Sequence, residues 1–454
     1  MKFPLLWLVA LLVGCTVGPK YSPPKTDTPA NYKAVGLTSP PPTGDWWETF
    51  SDPILNKYLT AAENANNDIA AAYARYNQAR SILGLKKADR IPTVTGEALM
   101  ARQQDTGRDI FELPTSPYNK YRSTLNLNYE IDFWGRIRRS ISKQKALTQA
   151  SADDYLTALL STKAELTRDY LALRHLDSEI TLLKTTVELR KENQKLVETR
   201  LNAGDTTSIY SSRAESQTET ARAALYRVKQ RRSELENAIA VLTGANPSSF
   251  QIKSSSPPRT PRIPAGVPAD LLRRRPDVAA TERRLAASAE EIGITIANYL
   301  PRVSLTASDG FASLSSSDLF DSTSQLWNIK PSATFPLLTL GSRKADKNRA
   351  EAFYYEALAN HKQSVLIAFR DVENALSGIN NLNHSLTAQQ KSAAAAREAA
   401  RLINLRYNTG LISFFEVIEA ERDHLIEQRM LAQTKAARQQ ATVQLIQALG
   451  GGWR

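Results

Sequence analysis

Few residues in this chain have the types and spacing for covalent chemistry. His175 and Glu179 stand four apart, so on a helix they share one face and present two ligands suited to a metal. No third ligand is near them in sequence, and zinc sites take three or four, so an ordinary surface position is the simpler reading. The remaining histidines, His361, His384 and His424, are isolated, and Cys15 is the only cysteine among 454 residues. That count excludes an intramolecular disulfide and a cysteine-based zinc cluster. No GxSxG, Walker A or HExxH string occurs, which leaves neither a nucleophile elbow nor a phosphate cradle. Lys+Arg 58 against Asp+Glu 46 gives a formal charge of +12, with short basic runs at Arg273-Arg274-Arg275 and Lys229 through Arg232. Without interleaved aromatics these runs do not suit nucleic acid. They read as solvated helix faces or as partners of acids such as Glu234 and Glu282. The expectation is a non-enzyme with no cofactor, no metal and no nucleic-acid partner.

The one cysteine has a context of its own. Lys2 precedes an apolar run from Leu5 to Val13, which ends in Gly14-Cys15. The run is too short to span a bilayer and has the form of an export signal. Leu12-Val13-Gly14-Cys15 resembles a bacterial lipobox, which implies cleavage after residue 14 and acylation of Cys15. Thr16 in place of an acid then implies sorting to the outer membrane. Seven prolines fall within residues 18–45. Residues 15–52 are therefore expected to run extended over a surface, with folded structure starting near Trp46-Trp47-Glu48-Thr49-Phe50.

Beyond that point the chain repeats itself at an offset of 206 to 209. Asn67-Asp68-Ile69-Ala70-Ala71 matches Pro276-Asp277-Val278-Ala279-Ala280, and Arg200, Asn202 and Gly204 match Arg406, Asn408 and Gly410. Gly135 to Gly204 and Gly341 to Gly410 are both 69 positions. The expected repeats are 53–256 and 257–454. Residues 118–246 and 337–454 contain no proline and are rich in helix formers. Leu173, Leu176, Ile180, Leu183 and Val187 recur at spacings of 3 and 4, a coiled-coil seam; Ile379, Leu382 and Leu386 repeat part of it. Roughly 65 helical residues between paired glycines span on the order of 100 Å at about 1.5 Å each, longer than one globular core.

Between the helices the period changes to two. Thr124 to Phe133 alternates without a break, and Trp327, Ile329, Ala333, Phe335 and Leu337 share a parity opposite Asn328, Lys330, Ser332 and Thr334. With shorter stretches after Pro92 and Pro301, strands are expected near 91–102, 121–134, 300–308 and 326–338. Alternation alone better suits hairpins on a water-soluble core; the lipobox reverses that preference in favour of membrane strands. Four strands cannot close a membrane barrel, because the smallest have about eight and lipid tolerates no open edge. Other copies of the chain must complete it, and three copies give twelve strands.

This layout resembles the outer-membrane factors of tripartite export systems, the TolC-like family, above all the lipoprotein branch serving resistance-nodulation-division (RND) pumps. The strings that carry the likeness are Trp46 through Pro53, Leu271-Leu272-Arg273-Arg274-Arg275-Pro276-Asp277-Val278, and Arg406-Tyr407-Asn408-Thr409-Gly410-Leu411 with Phe415 through Glu421. The resemblance implies a mainly α fold with a small membrane β part, two tandem repeats, and a homotrimer. Its twelve-stranded β-barrel would continue into a twelve-helix periplasmic α-barrel. It implies a passive exit duct in the outer membrane of a Gram-negative bacterium, held in lipid through Cys15 and docked on a periplasmic adaptor and an inner-membrane RND-type pump. Gly204 and Gly410 stand where the seams stop and a helix must reverse. By the resemblance these tips dock the adaptor, through Arg200, Gly204, Arg406, Gly410, Glu416 and Val417. Tyr210 and Ser211 replace an acid and an aliphatic usual at the first tip. Phe415 and Glu419 lie four apart; in a trimer they form an apolar ring and a carboxylate ring, the parts of a periplasmic gate. A coiled-coil knob and a solvated face are the plainer readings of the two. The competing function is a lipid-anchored periplasmic coiled-coil spacer or adaptor, which has no need of matched amphipathic strands.

Overall fold

The computed structural model describes residues 16–25, 27–33, 45–106, 116–266, 268–409 and 411–451. The expected leader 1–14, Cys15 and Gly410 lie outside the described residues. The elements run α1 Pro53–Ala65, α2 Asn67–Ala88, β1 Thr93–Gln103, β2 Tyr118–Ile131, α3 Arg136–Asn202, α4 Ser208–Leu242, α5 Pro268–Arg274, α6 Pro276–Ala297, β3 Arg302–Ser313, β4 Gln325–Thr334, α7 Ser342–Asn408 and α8 Phe414–Ala448. The second half thus repeats the order of the first, and α3 and α7 each hold 67 residues while α4 and α8 each hold 35. No helix among the described residues is long and apolar enough to cross a membrane.

Contacts divide the chain into two compact units, and each draws on both halves of the sequence. One comprises residues up to 25, 75–151 and 280–361. It carries a four-stranded antiparallel sheet in the order β1-β2-β3-β4. Register sets Val94 opposite Leu127, Leu127 opposite Ala307, and Ala307 opposite Ile329. Because side chains alternate, Val94, Met100, Leu125, Leu127, Trp327 and Ile329 share one face, and Thr95, Asn126, Thr306 and Lys330 share the other. The apolar face is bare: Met100 is 73% exposed and Trp327 70%.

Strand limits differ from the alternation reading at three places. β2 runs Tyr118–Ile131 and not 121–134, because residues 118–120 pair with β1 while 132–134 lie past the last paired residue. β3 continues past Asp309 to Ser313, since polar loop-like residues there still pair with β2 and β4. β4 stops at Thr334, before Phe335 and Leu337; Pro336 has no amide to extend the ladder, and Leu340 and Gly341 turn the chain with φ of 43° and 88°. In the same unit the Val17 amide bonds the Trp134 carbonyl at 3.2 Å, and the Tyr21 hydroxyl donates to Glu282. Arg139, nearly buried, donates to Glu290 at 2.8 Å and to the Gly18 carbonyl at 3.0 Å. A methyl on Gly293 would stand 2.4 Å from the Arg139 side chain, so glycine there makes the room.

The other unit comprises 26–74, 152–279 and 362 onward. Its main core joins Trp46, Phe50, Leu55 and Leu59 to Leu166, Tyr170 and Leu173 of α3, Ile239 of α4 and Val443 of α8. Asp52 caps α1 by accepting from the Ile54 and Leu55 amides, and its second oxygen takes the Tyr170 hydroxyl at 2.7 Å. The expected α3 seam is real: Leu173 and Leu183 are fully buried, and Ile180, Leu183 and Val187 close on Ala221, Leu225 and Val228 of α4. In the second half Ile379, Leu382 and Leu386 are only half-buried in the single chain. In the basic runs the described pairs are with acids, one of the two expected readings, and they differ in burial. Arg231 is the solvated member, pairing with Glu234, but Arg232 turns inward to Asp177 and Glu236. Arg275 is likewise interior, between Asp277 and Asp371.

Three histidines are buried enough that desolvation lowers their pKa: His175, His361 and His424. In the unfolded chain they take a proton near pH 6.5, and in the folded chain they resist it. Their contribution to stability is therefore present above about pH 6.5 and is lost as pH falls. Thermal unfolding at pH 5.0 should come several degrees below that at pH 7.5, and His175→Gln should narrow the gap. An unchanged gap in that variant would remove His175 from the account.

Candidate functional site

Two places combine unusual exposure with positions singled out in the sequence: the tips of the long helical hairpins and the bare sheet. At the first tip α3 ends by a six-residue closure. The Asp205 amide bonds the Arg200 carbonyl at 2.9 Å and the Gly204 amide the Leu201 carbonyl at 3.0 Å. Gly204 has φ +77°, and open space surrounds the site of an added Cβ, so backbone conformation alone calls for glycine. At the second tip the Leu411 amide bonds the Arg406 carbonyl at 3.1 Å, the same closure 206 positions on.

The tips touch each other. The Arg200 guanidinium donates to the Tyr407 hydroxyl and lies 5.1 Å from that ring's centroid. Arg406 is exposed, in the last turn of α7. On α8, Glu416 reaches back to the Ser413 amide in a capping box, so its carboxylate holds the helix start as well as facing solvent. Val417 is 2% exposed and faces the interior of the chain, unlike the exposed Arg200, Arg406 and Glu416.

Phe415 is 44% exposed in the single chain and carries the Arg213 guanidinium 5.3 Å from its ring centroid. Glu419, one turn on, pairs with Arg422 at 2.7 Å. That pair is solvated and worth little to stability. Sequence reasoning did not find Tyr407 as the partner of Arg200 or Arg213 as the partner of Phe415. Each pair lies about two hundred positions apart, and no local spacing signals it. His175 and Glu179 do share a face, but His175 meets Gln439 at 2.8 Å and Glu179 accepts from Arg429 at 2.7 Å, both on α8.

In the sheet unit, the apolar face and the polar face are each continuous across all four strands, and β1 and β4 are open edges. An apolar face with Val94, Met100, Leu125, Trp327 and Ile329 all exposed is a contact surface. The family model described as outer membrane efflux protein matches residues 59–245 and 267–451, both halves in turn. The chain belongs to the outer membrane efflux protein family. It is accordingly an outer-membrane component of an efflux system. It is similar to outer membrane protein OprJ of Pseudomonas aeruginosa, 29% identical over 98% of this chain and 95% of that one. It is similar to the solvent efflux pump outer membrane protein SrpC of Pseudomonas putida, 28% identical over 100% and 99%, and to the cation efflux system protein CusC of Escherichia coli, 25% identical over 99% and 98%. Among solved structures, the outer-membrane channel OprN superposes with a TM-score of 0.89 at 31% identity, over 97% of this chain and 100% of that one. The Campylobacter jejuni outer membrane channel CmeC gives 0.90 at 25% identity, over 96% and 95%.

Proposed function

We propose that three copies of the chain form a passive exit duct, a twelve-stranded barrel continuous with a twelve-helix tunnel, held in the outer membrane of a Gram-negative bacterium and anchored through an acylated Cys15. The repeats 53–256 and 257–454 each contribute two strands and two long helices. The observation that carries this reading is the four-stranded sheet with one bare apolar face and two open edges. Lipid accepts such a sheet only when its edges are paired, and copies of the chain supply the pairing. A coiled-coil spacer has no use for it.

The duct performs no covalent step and is not an enzyme. Energy comes from an inner-membrane RND-type pump through a periplasmic adaptor. The adaptor docks at the tips, where Arg200, Arg406 and Glu416 face solvent and Gly204 shapes the first turn; Gly410 is its counterpart in the sequence of the second tip, and Val417 is buried in the first turn of α8. Relatives of comparable similarity are named for solvent and for cation efflux, which supports selection of cargo by the pump.

Phe415 and Glu419 form the gate, as apolar and acidic rings around the threefold axis. In planar bilayers, Phe415→Ala and Glu419→Ala together should raise single-channel conductance about twofold or more, and Glu419→Ala alone should weaken cation preference. Unchanged conductance in both single and double variants would refute the gate.

A further inference from the structure

The polar face of the sheet carries more positive than negative charge. Side-chain parity places Glu97 of β1, Lys120, Arg122 and Glu130 of β2, Arg302 of β3 and Lys330 of β4 on it, with Thr, Ser and Asn between them. Four basic side chains of the described strands thus face two acids. Glu130, at the helical end of the sheet, is already shared: Arg302 reaches it at 2.9 Å, and Arg136, at the start of α3, through two bonds of 2.8 Å. Lys120, at the opposite end, lies beside Asp105, just past β1. Lys330 and Arg122 are then left against Glu97, which accepts from Asn126 at 3.3 Å.

The register keeps these two bases away from acids. Lys330 is exposed and stands opposite Thr306, which stands opposite Asn128, which stands opposite Thr93, so that level of the face holds no carboxylate. Arg122 lies between Leu99 on β1 and Ala312 on β3, again with no carboxylate at its level. Its buried Nε has no hydrogen-bond partner among the described residues, and a guanidinium donor left unmet favours an anion beside it. Glu97 occupies a level between the two, opposite Thr124.

We propose that this face makes the barrel section of the duct prefer anions, with Lys330 and Arg122 as the residues that set the preference. The proposal rests on the duct reading, in which three copies close the barrel with the polar face toward the lumen. Three copies turn Lys330 and Arg122 into two basic rings and Glu97 into one acidic ring. Pairing between copies at β1 and β4 rearranges neighbours without changing that sum. Twelve strands about 4.8 Å apart and tilted by about 40° enclose a backbone radius on the order of 12 Å, which side chains narrow toward the Debye length of about 8–10 Å at physiological salt. Wall charge is therefore felt on the axis, where it concentrates ions of the opposite sign. The acidic ring proposed at the gate, Glu419, biases the other way, so the barrel's preference shows fully once that carboxylate is removed.

The test reads reversal potentials of the full-length channel in planar bilayers across a KCl gradient, with Glu419→Ala as the starting chain so that the gate carboxylates do not mask the barrel. That chain should pass chloride about twofold better than potassium. Adding Lys330→Gln and Arg122→Gln should bring the ratio to one or below, whereas Lys330→Arg should leave it unchanged. Glu97→Gln should raise it further, which keeps the test decisive if the Gln pair fails to assemble. A Glu419→Ala channel that is neutral or favours potassium would overturn the proposal, and so would a ratio that neither the Gln pair nor Glu97→Gln moves. A wild type that forms no conducting channel would instead overturn the duct reading, and the anion preference with it.

Discussion

Val94→Arg should all but abolish assembly in the outer membrane, whereas Thr95→Arg, one position along, should be tolerated. Val94 is 60% exposed on the apolar face of β1, opposite Leu127. Thr95 pairs with Asn126 on the polar face, near Glu97. An arginine on the lipid face of a barrel costs about 2–4 kcal/mol at mid-membrane and about 0–1 kcal/mol at the interfaces; Val94, the second residue of β1, lies between those limits, at about 2 kcal/mol, and the proposed trimer carries the charge three times. Roughly 6 kcal/mol is comparable with the whole stability of a typical domain. The choice of Val94 matters. A cation at Leu125 would lie directly opposite Asp309 and find a partner, which would blunt the effect. Quantifying trimers in purified outer membranes should show at least a hundredfold fall for Val94→Arg and less than a threefold fall for Thr95→Arg. Equal yields for the two variants would mean that the apolar face does not meet lipid, and the barrel reading would fail with it.

The prediction turns on period-two alternation, which was legible in the sequence because one buried or lipid-facing side imposes it residue by residue. The same holds for the α3 seam, where Leu173, Leu183 and Val187 lie interior at the spacing that a helix face demands. What the sequence concealed was pairing across distance. Arg200 and Tyr407 touch because two tips, one from each repeat, end at the same level, and nothing near either residue records that. Arg232 shows a burial that its neighbours in sequence conceal. In a run of basic residues it has the look of a solvated face, yet a helix turns by about 100° per residue, so neighbours in a run point in different directions. Arg231 went to water and Arg232 went inside. Val417 belongs to the same class: a position grouped with docking residues by motif faces the interior because α8 begins at Phe414 and directs that side inward. The strand limits at Phe335 and Leu337 failed for a different reason, since parity continued where proline had ended the ladder.

Asp177 is where concealed pairing carries the most stability. It is 3% exposed on α3, and its carboxylate takes the Arg232 Nε at 2.7 Å, the Arg174 guanidinium at 3.2 Å and the Ser255 amide at 3.2 Å. The same arginines hold the chain after α4: Arg232 donates to the Ile252 carbonyl and Arg174 to the Lys253 carbonyl, each at 2.6 Å. One carboxylate thus orders two guanidiniums that strap residues 252–255 to the hairpin. Asp177→Ala would leave Arg174, with no exposed surface of its own, as an unbalanced buried charge. Breaking such a pair from one side costs about 3–5 kcal/mol. The variant should unfold thermally several degrees below wild type. Its strap should open first, so trypsin should cut after Lys253 under conditions where the wild-type chain resists. Asp205→Ala, at the solvated tip, should do neither. Replacing all four charges at once, Asp177→Leu and Glu236→Gln with Arg174→Met and Arg232→Met, should recover much of the thermal loss, because the penalty lies in the orphaned charges and not in the absence of the ion pairs; Glu236 belongs to the set because Arg232 also pairs with it at 3.1 Å. A quadruple variant no more stable than Asp177→Ala would show instead that the bonds to the 252 and 253 carbonyls hold the strap, and that the carboxylate serves only to aim them.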